Sequence, residues 1–206
     1  MTIILHNITH WERVDDAPSG ALHTEGSLSK YLLRYDNSQF LFKETWTRRK
    51  GDYSEEIKHQ FWSEIVAAEV GELLGLQVPE TFIGLNERSD IPFTVWVLTK
   101  WFLKDRDIFV RGSELMTRHI ENYSEKQHNL DSAIAHTVDI EGALKYWIEM
   151  IVFDCLIGNT DRHHENWGVI NHSRLTPLYD NGISLGWRVH DALLSENEIQ
   201  KKWEKL

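Results

Sequence analysis

The sequence predicts an α+β fold, a sheet-rich first lobe followed by a short helical one, on three observations. Strand and hairpin signals fill the first half of the chain. An apolar stretch of helical period, residues 142–158, dominates the second half. No repeat, low-complexity run or Pro/Gly/Ser-rich linker divides the 206 residues, a length that suits one domain with its own core.

The elements follow in order. Tyr31–Tyr35 reads as a strand, Asp36-Asn37-Ser38 as turn chemistry and Gln39–Lys43 as the returning strand. A small-residue loop, Gly26-Ser27-Leu28-Ser29-Lys30, precedes this hairpin. A helix comes next, with Ser54 as N-cap and Glu55 and Glu56 at its positive end. Ile57, Phe61, Ile65 and Ala68 make its apolar face, and Gly75 and Pro79 stop it. Glu64 falls within about 20° of Ile57 on a helical wheel, which aims a carboxylate with the apolar stripe. Glu72 falls there too, so placement alone does not choose between them.

Thr81–Leu85 and Phe93–Leu98 read as strands, the second followed by the connector Thr99-Lys100-Trp101-Phe102. In the helix Gly142–Gly158, one side is expected to carry Leu144, Trp147, Ile148, Ile151, Val152, Cys155 and Leu156. Trp167–Ile170 reads as a short strand, Asn171–Arg174 as a turn and Leu175–Tyr179 as the partner strand.

Composition excludes several classes of function. Lys and Arg number 22 against 32 Asp and Glu, a net charge of −10, and the one dense basic run is Arg48-Arg49-Lys50. Nucleic acid as the main ligand needs clustered cations and is not expected. No apolar run approaches a membrane span, and residues 1–6 lack the form of a secretory signal. A single cysteine, Cys155, excludes an internal disulfide and a Cys-rich zinc site. The expectation is a soluble, cytoplasmic protein. Nine Trp, eight Phe and six Tyr point to ring-lined pockets or close packing.

The densest polar cluster is Gly158-Asn159-Thr160-Asp161-Arg162-His163-His164-Glu165-Asn166, a loop between the apolar helix and the small hairpin, which itself ends in Asp180-Asn181-Gly182. Read as chemistry, this is Asp-x4-Asn, a hairpin, then Asp-x-Gly. Phosphoryl transfer needs a carboxylate near the acceptor hydroxyl, a role that suits Asp161. It also needs oxygen ligands for Mg²⁺, a role that suits Asn166 and Asp180. A polar turn whose Asp and Asn cap backbone groups carries the same residues, and both readings stand at this level. The same logic asks for a lysine on an early strand and a helix glutamate to hold it. Lys43 and Glu64 lie in that order, although either alone reads as a surface charge.

Gly158 to Gly168, Leu175-Thr176-Pro177-Leu178-Tyr179-Asp180 and Ser63-Glu64 through Leu74-Gly75-Leu76, with Leu41-Phe42-Lys43, together resemble the HipA-like kinases. These are bacterial relatives of the protein-kinase and phosphatidylinositol-kinase superfamily. The resemblance spans roughly residues 20–186. It implies a two-lobed protein-kinase-like fold in one domain, an N-lobe to about residue 100 and a shortened C-lobe over 103–206. It implies ATP and Mg²⁺ as cofactors and transfer to a Ser/Thr hydroxyl of a protein substrate. By the same resemblance Asp161 is the catalytic base, Asn166 and Asp180 are metal ligands, and Lys43 with Glu64 serves the phosphates. Lys100, Trp101 and Phe102 belong to the hinge that faces adenine.

Two features depart from the family pattern. The phosphate loop carries a single glycine, Gly26, although its backbone N–H groups still suit phosphate, and Ser27 and Ser29 become candidates for regulatory self-phosphorylation. Only 26 residues follow Asp180, where the family usually has a helical bundle. The partners to expect are therefore a protein substrate, an antitoxin, or a completing subunit. The competing readings are a phosphatidylinositol-type or small-molecule kinase, and a nucleotide-binding pseudokinase acting as a regulatory partner. A zinc hydrolase built on His163, His164, Glu165 and His190 is the weakest, since no His-Glu-x-x-His pattern exists.

Overall fold

The chain runs β1 (Leu5–Asn7), β2 (Glu12–Arg13), β3 (Lys30–Tyr35), β4 (Ser38–Lys43), β5 (Thr47–Lys50), β6 (Tyr53–Glu56) and α1 (Lys58–Leu73). It continues through β7 (Thr81–Leu85), β8 (Val95–Lys100), β9 (Phe109–Arg111), α2 (Gly112–Thr117), α3 (Leu130–Thr137), α4 (Ala143–Ile157), β10 (Gly168–Ile170) and β11 (Arg174–Leu175). This computed structural model describes residues 4–14, 30–43, 47–50, 53–56, 58–87, 95–117 and 129–187.

Six strands form the main sheet in the order β1-β7-β8-β4-β3-β2, antiparallel except for the β1–β7 edge pair. The β3–β4 hairpin forms where the sequence predicts it. Asp36 and Asn37 take left-handed backbone, with φ of 44° and 60°, the two-residue turn that suits Asx residues and matches strand twist. β8 runs on to Lys100, two residues beyond expectation. It is a central strand, with Thr99 opposite both Leu41 of β4 and Thr81 of β7.

α1 departs from expectation at its start. Ser54 and Glu55 lie in β6, not in an N-terminal cap, because β6 pairs with β5 in a register that sets Arg48 opposite Glu55 and Arg49 opposite Ser54. The ladder claims the backbone groups that a cap would have used. The end of α1 behaves as predicted. Gly75 has φ 70°, its N–H bonds to the Glu72 carbonyl, and the Leu76 N–H reaches back to Gly71, closing the helix in a Schellman motif.

Two cores result. Ile8, Leu33, Phe42, Trp96 and Leu98 pack the sheet lobe, and Trp147, Phe153, Trp167, Val169 and Leu178 pack the helical lobe. Ala67 of α1 joins the second core, so this helix couples the lobes. The α4 helix forms as expected, but its buried face is Ala143, Trp147, Met150, Phe153 and Ile157. Of the expected face only Trp147 is buried; Leu144 is 66% exposed, Ile148 54% and Leu156 60%, and Cys155 is exposed as well. Apolar residues circle this helix, so periodicity alone could not select a side. The side holding Trp147 and Phe153 wins, and the Trp147 indole N–H finds Thr137 Oγ1 at 2.8 Å. In denaturant unfolding, Phe153→Ala is accordingly expected to cost about 3–5 kcal/mol. Ile148→Gln should stay within about 0.5 kcal/mol.

The last hairpin is shorter than predicted. β11 ends at Leu175 because Pro177 has no N–H to donate and the Leu178 N–H turns to the Gln77 carbonyl at 2.7 Å. β10 instead gains a second partner in β9, a strand absent from the sequence reading. Gly112, just after β9, carries no Cβ for a reason. One there would lie 2.6 Å from the His164 carbonyl and 2.3 Å from the Trp167 ring. No helix among the described residues is long and apolar enough to cross a membrane.

Candidate active site

α4 delivers the chain into the 158–166 loop. Gly158, at φ 62°, caps the helix, and the Asn159 N–H bonds to the Asp154 carbonyl at 2.9 Å. The Asn159 side chain then bridges forward, its Oδ1 accepting from the Asp161 N–H at 3.0 Å and its Nδ2 donating to Asp154 Oδ1 at 3.1 Å. The Asn166 amide donates to the Asp161 carbonyl at 2.7 Å, which commits its nitrogen to the loop and leaves the oxygen as the atom with ligand chemistry. The Asp161 carboxylate is 45% exposed, with His163 Nε2 3.9 Å away.

The β10–β11 hairpin brings Asp180 back beside this loop. The Tyr179 hydroxyl donates to the Glu165 carbonyl at 2.6 Å, and the Asn181 N–H donates to Glu64 Oε1 at 3.1 Å. Lys43, at the end of β4, meets both carboxylates. Its ammonium donates to Asp180 Oδ1 and lies 3.8 Å from Glu64 Oε2. Glu64 is buried and Glu72 exposed, so packing separates the two glutamates that periodicity left equal.

Burial alone would lower the Lys43 pKa; the Asp180 and Glu64 charges outweigh it and hold the ammonium above its ordinary value. Burial pushes Glu64 up, against the pull of Lys43. For Asp180 burial also acts upward, but Lys43, through charge and hydrogen bond, takes the carboxyl down to about 2.

A cleft of about 660 Å³, counted to its open mouth, lies beside these three residues. One wall is aromatic. Trp101 stacks on Phe102 with centroids 5.3 Å apart, and Phe102 stacks on Tyr179 at 5.3 Å. The connector after β8 is held by the Trp101 N–H on the Gln39 carbonyl at 2.8 Å. The buried indole N–H of Trp101 has no hydrogen-bond partner among the described residues. That orphan donor fits a site that receives a ligand bearing acceptors. Lys30 and Arg111 add two cations to the lining.

Not every expected residue arrives here. The Lys100 side chain pairs with Glu80 at 2.5 Å and does not line the cleft, because strand alternation sends it away from its neighbours Thr99 and Trp101. Trp167, which follows the loop, is a core residue set edge-on against Trp147 at 4.8 Å. Gly26, Ser27 and Ser29 lie outside the described residues.

Lys30, Arg111 and Tyr179 were given no role by sequence reasoning. A signal for Lys30 existed, since the hairpin register sets it directly opposite Lys43. None existed for Arg111, whose strand has three residues. Among the described residues no three or more His, Cys, Asp or Glu gather as a metal cage. Asn166 and Asp180 offer two hard oxygen donors, a set that suits Mg²⁺ shared with phosphates.

A sequence model of the HipA-like C-terminal domain matches residues 22–205. The chain is similar to the serine/threonine-protein kinase CtkA of Helicobacter pylori (strain J99), 28% identical over 179 residues, covering 80% of this chain and 52% of the relative. It thus spans about half the length of that curated relative. Among solved structures, the crystal structure of a Helicobacter pylori proinflammatory kinase CtkA aligns with a TM-score of 0.72 at 26% identity. That match covers 98% of this chain and 69% of the other.

Proposed function

This chain belongs to the HipA-like C-terminal domain family and has a kinase-like fold, and on that premise we propose that it is an ATP- and Mg²⁺-dependent kinase acting on a Ser or Thr hydroxyl of a protein. The observation that carries the reading is Lys43 held between Glu64 and Asp180 beside a ring-lined cleft. A lysine fixed by a helix glutamate is the device that phosphoryl transfer uses to position a triphosphate.

In this reading Lys43 contacts phosphate oxygens, with Lys30 and Arg111 adding positive charge from the same cleft. Trp101, Phe102 and Tyr179 supply apolar faces suited to a purine. Magnesium, when bound, neutralises phosphate charge, and Asn166 and Asp180 are the residues that would hold it. Asp161 orients the acceptor hydroxyl. The hydroxyl oxygen forms the new bond to the γ-phosphorus as the bond from that phosphorus to the β–γ bridging oxygen breaks. ADP leaves, and the hydroxyl proton passes to the Asp161 carboxylate. Most of the acceleration comes from positioning and charge neutralisation.

The test is incubation with γ-labelled ATP and Mg²⁺ in the presence of lysate protein and of lipid vesicles. Asp180→Ala should lower transfer to protein by about 100-fold or more. Label on lipid alone would favour a lipid kinase, and ATP binding with no transfer a pseudokinase. Wild-type transfer that persists in Asp180→Ala would sink the residue assignment.

A further inference from the structure

Arg162 lies outside the cleft lining, yet its side chain, 7% exposed, is tied to every segment that carries a proposed metal ligand. Nε donates to Asp154 Oδ2 and Nη2 to Asp154 Oδ1, both at 2.9 Å, a bidentate pair. Nη1 donates to the Asn166 carbonyl at 3.2 Å and to the Tyr179 carbonyl at 2.5 Å. Nη2 also donates to Asn181 Oδ1 at 2.5 Å. A guanidinium has five N–H donors, and these five bonds use them.

The partners fall in a pattern. Asp154 sits in the last turn of α4, a rigid element anchored by Trp147, Met150 and Phe153. Asn166 is one proposed ligand, held by its own backbone carbonyl. Tyr179 and Asn181 are the residues on either side of the other, Asp180. Asp180 has φ 59°, a left-handed backbone that aspartate tolerates, so the arginine grips both sides of a turn residue. Burial asks for a partner at each guanidinium N–H, and what marks this arginine is where those partners lie. Here three of five bonds go to the two ligand-bearing segments.

We propose that Arg162 is a positioning residue that sets the separation of Asn166 and Asp180 for a divalent cation, using the end of α4 as its reference. The inference rests on the kinase reading of the site. A planar fork can hold two segments at one distance; a lysine ammonium, a point charge on a flexible stem, cannot.

ATP affinity of the full chain is measured by intrinsic tryptophan fluorescence, once with EDTA and once across a Mg²⁺ titration. In Arg162→Lys the affinity in EDTA should stay within about twofold, while the Mg²⁺ concentration needed to tighten binding rises roughly 10–100-fold, the usual cost of losing a ligand's support. Asn181→Ala removes one of the five bonds and leaves the Asp154 pair intact. It should shift the same titration in the same direction by less, and it decides the matter if Arg162→Lys does not fold by circular dichroism. Equal loss in EDTA and in Mg²⁺, or an unchanged Mg²⁺ titration, overturns the proposal while the kinase reading stands. A wild type that binds no ATP, or binds it without regard to Mg²⁺, overturns that reading and this inference together.

Discussion

Asp161→Asn is expected to lower phosphoryl transfer by about 10²–10⁴-fold, the range over which a positioned acid or base acts. The substitution is nearly isosteric. The loop is shaped by the Asp161 backbone, whose N–H is held by Asn159 and whose carbonyl is held by Asn166, not by the carboxylate. ATP affinity should therefore stay within about twofold, so that the loss appears in kcat rather than in nucleotide binding. Single-turnover label transfer beside equilibrium ATP binding separates the two. If rate and affinity fell together, Asp161 would be a structural residue of the loop. If the rate held, another group would take the proton, and His163, 3.9 Å from the carboxylate, is the neighbour to replace next.

Lys43→Met should abolish measurable transfer and also destabilise the fold, by about 3 kcal/mol, because removing one partner of a buried ion pair strands the others. The pH dependence distinguishes this from a packing defect. In the wild type, Asp180 is held at about 2, below an ordinary carboxyl. Its stabilising contribution is therefore present above the unfolded value and lost as pH falls through the folded one. Glu64 runs the other way. Burial raises its pKa, so its ionised form costs stability, and that cost grows as pH rises through the folded value. Without Lys43 both carboxylates lose their cation, and Glu64 rises further. The stability gap between variant and wild type should thus be widest near neutral pH and narrow in mild acid. Thermal denaturation at pH 8 and pH 5 measures it, and a gap that stays constant would assign the loss to packing alone.

What the sequence made legible was local. The β3–β4 hairpin was readable because strand signals and Asx turn chemistry sit side by side. Existence and ends of α4 were readable from its period and from Gly158, but its buried face was not, since apolar residues surround it. The cap at Ser54 failed because pairing with residues 47–50 outcompeted it, a local hairpin whose mark, Gly51-Asp52 between the two runs, the cap reading passed over. In the site, the order Lys43, Glu64, Asp161, Asn166, Asp180 was visible as spacing. The choice of Glu64 over Glu72 needed the packing of α1 against the rest of the protein. Lys30 could have been found from the hairpin register, whereas Arg111 and the bonds of Arg162 depend on long-range pairing and return of the chain, which spacing does not carry.

The parallel β1–β7 edge has a meaning in time as well as in space. The β3–β4 hairpin closes over a two-residue turn, so its ladder can zip as soon as both strands exist. β1 must wait for β7, and the Glu87 N–H reaches Thr9 Oγ1 across 78 positions of chain. The loop entropy of that closure is met before any contact rewards it. Ile8, fully buried in the sheet-lobe core, follows directly on β1, so this core is completed only when the chain's earliest strand finds its place. By contact order, then, the first strand in sequence is among the last to join the folded sheet.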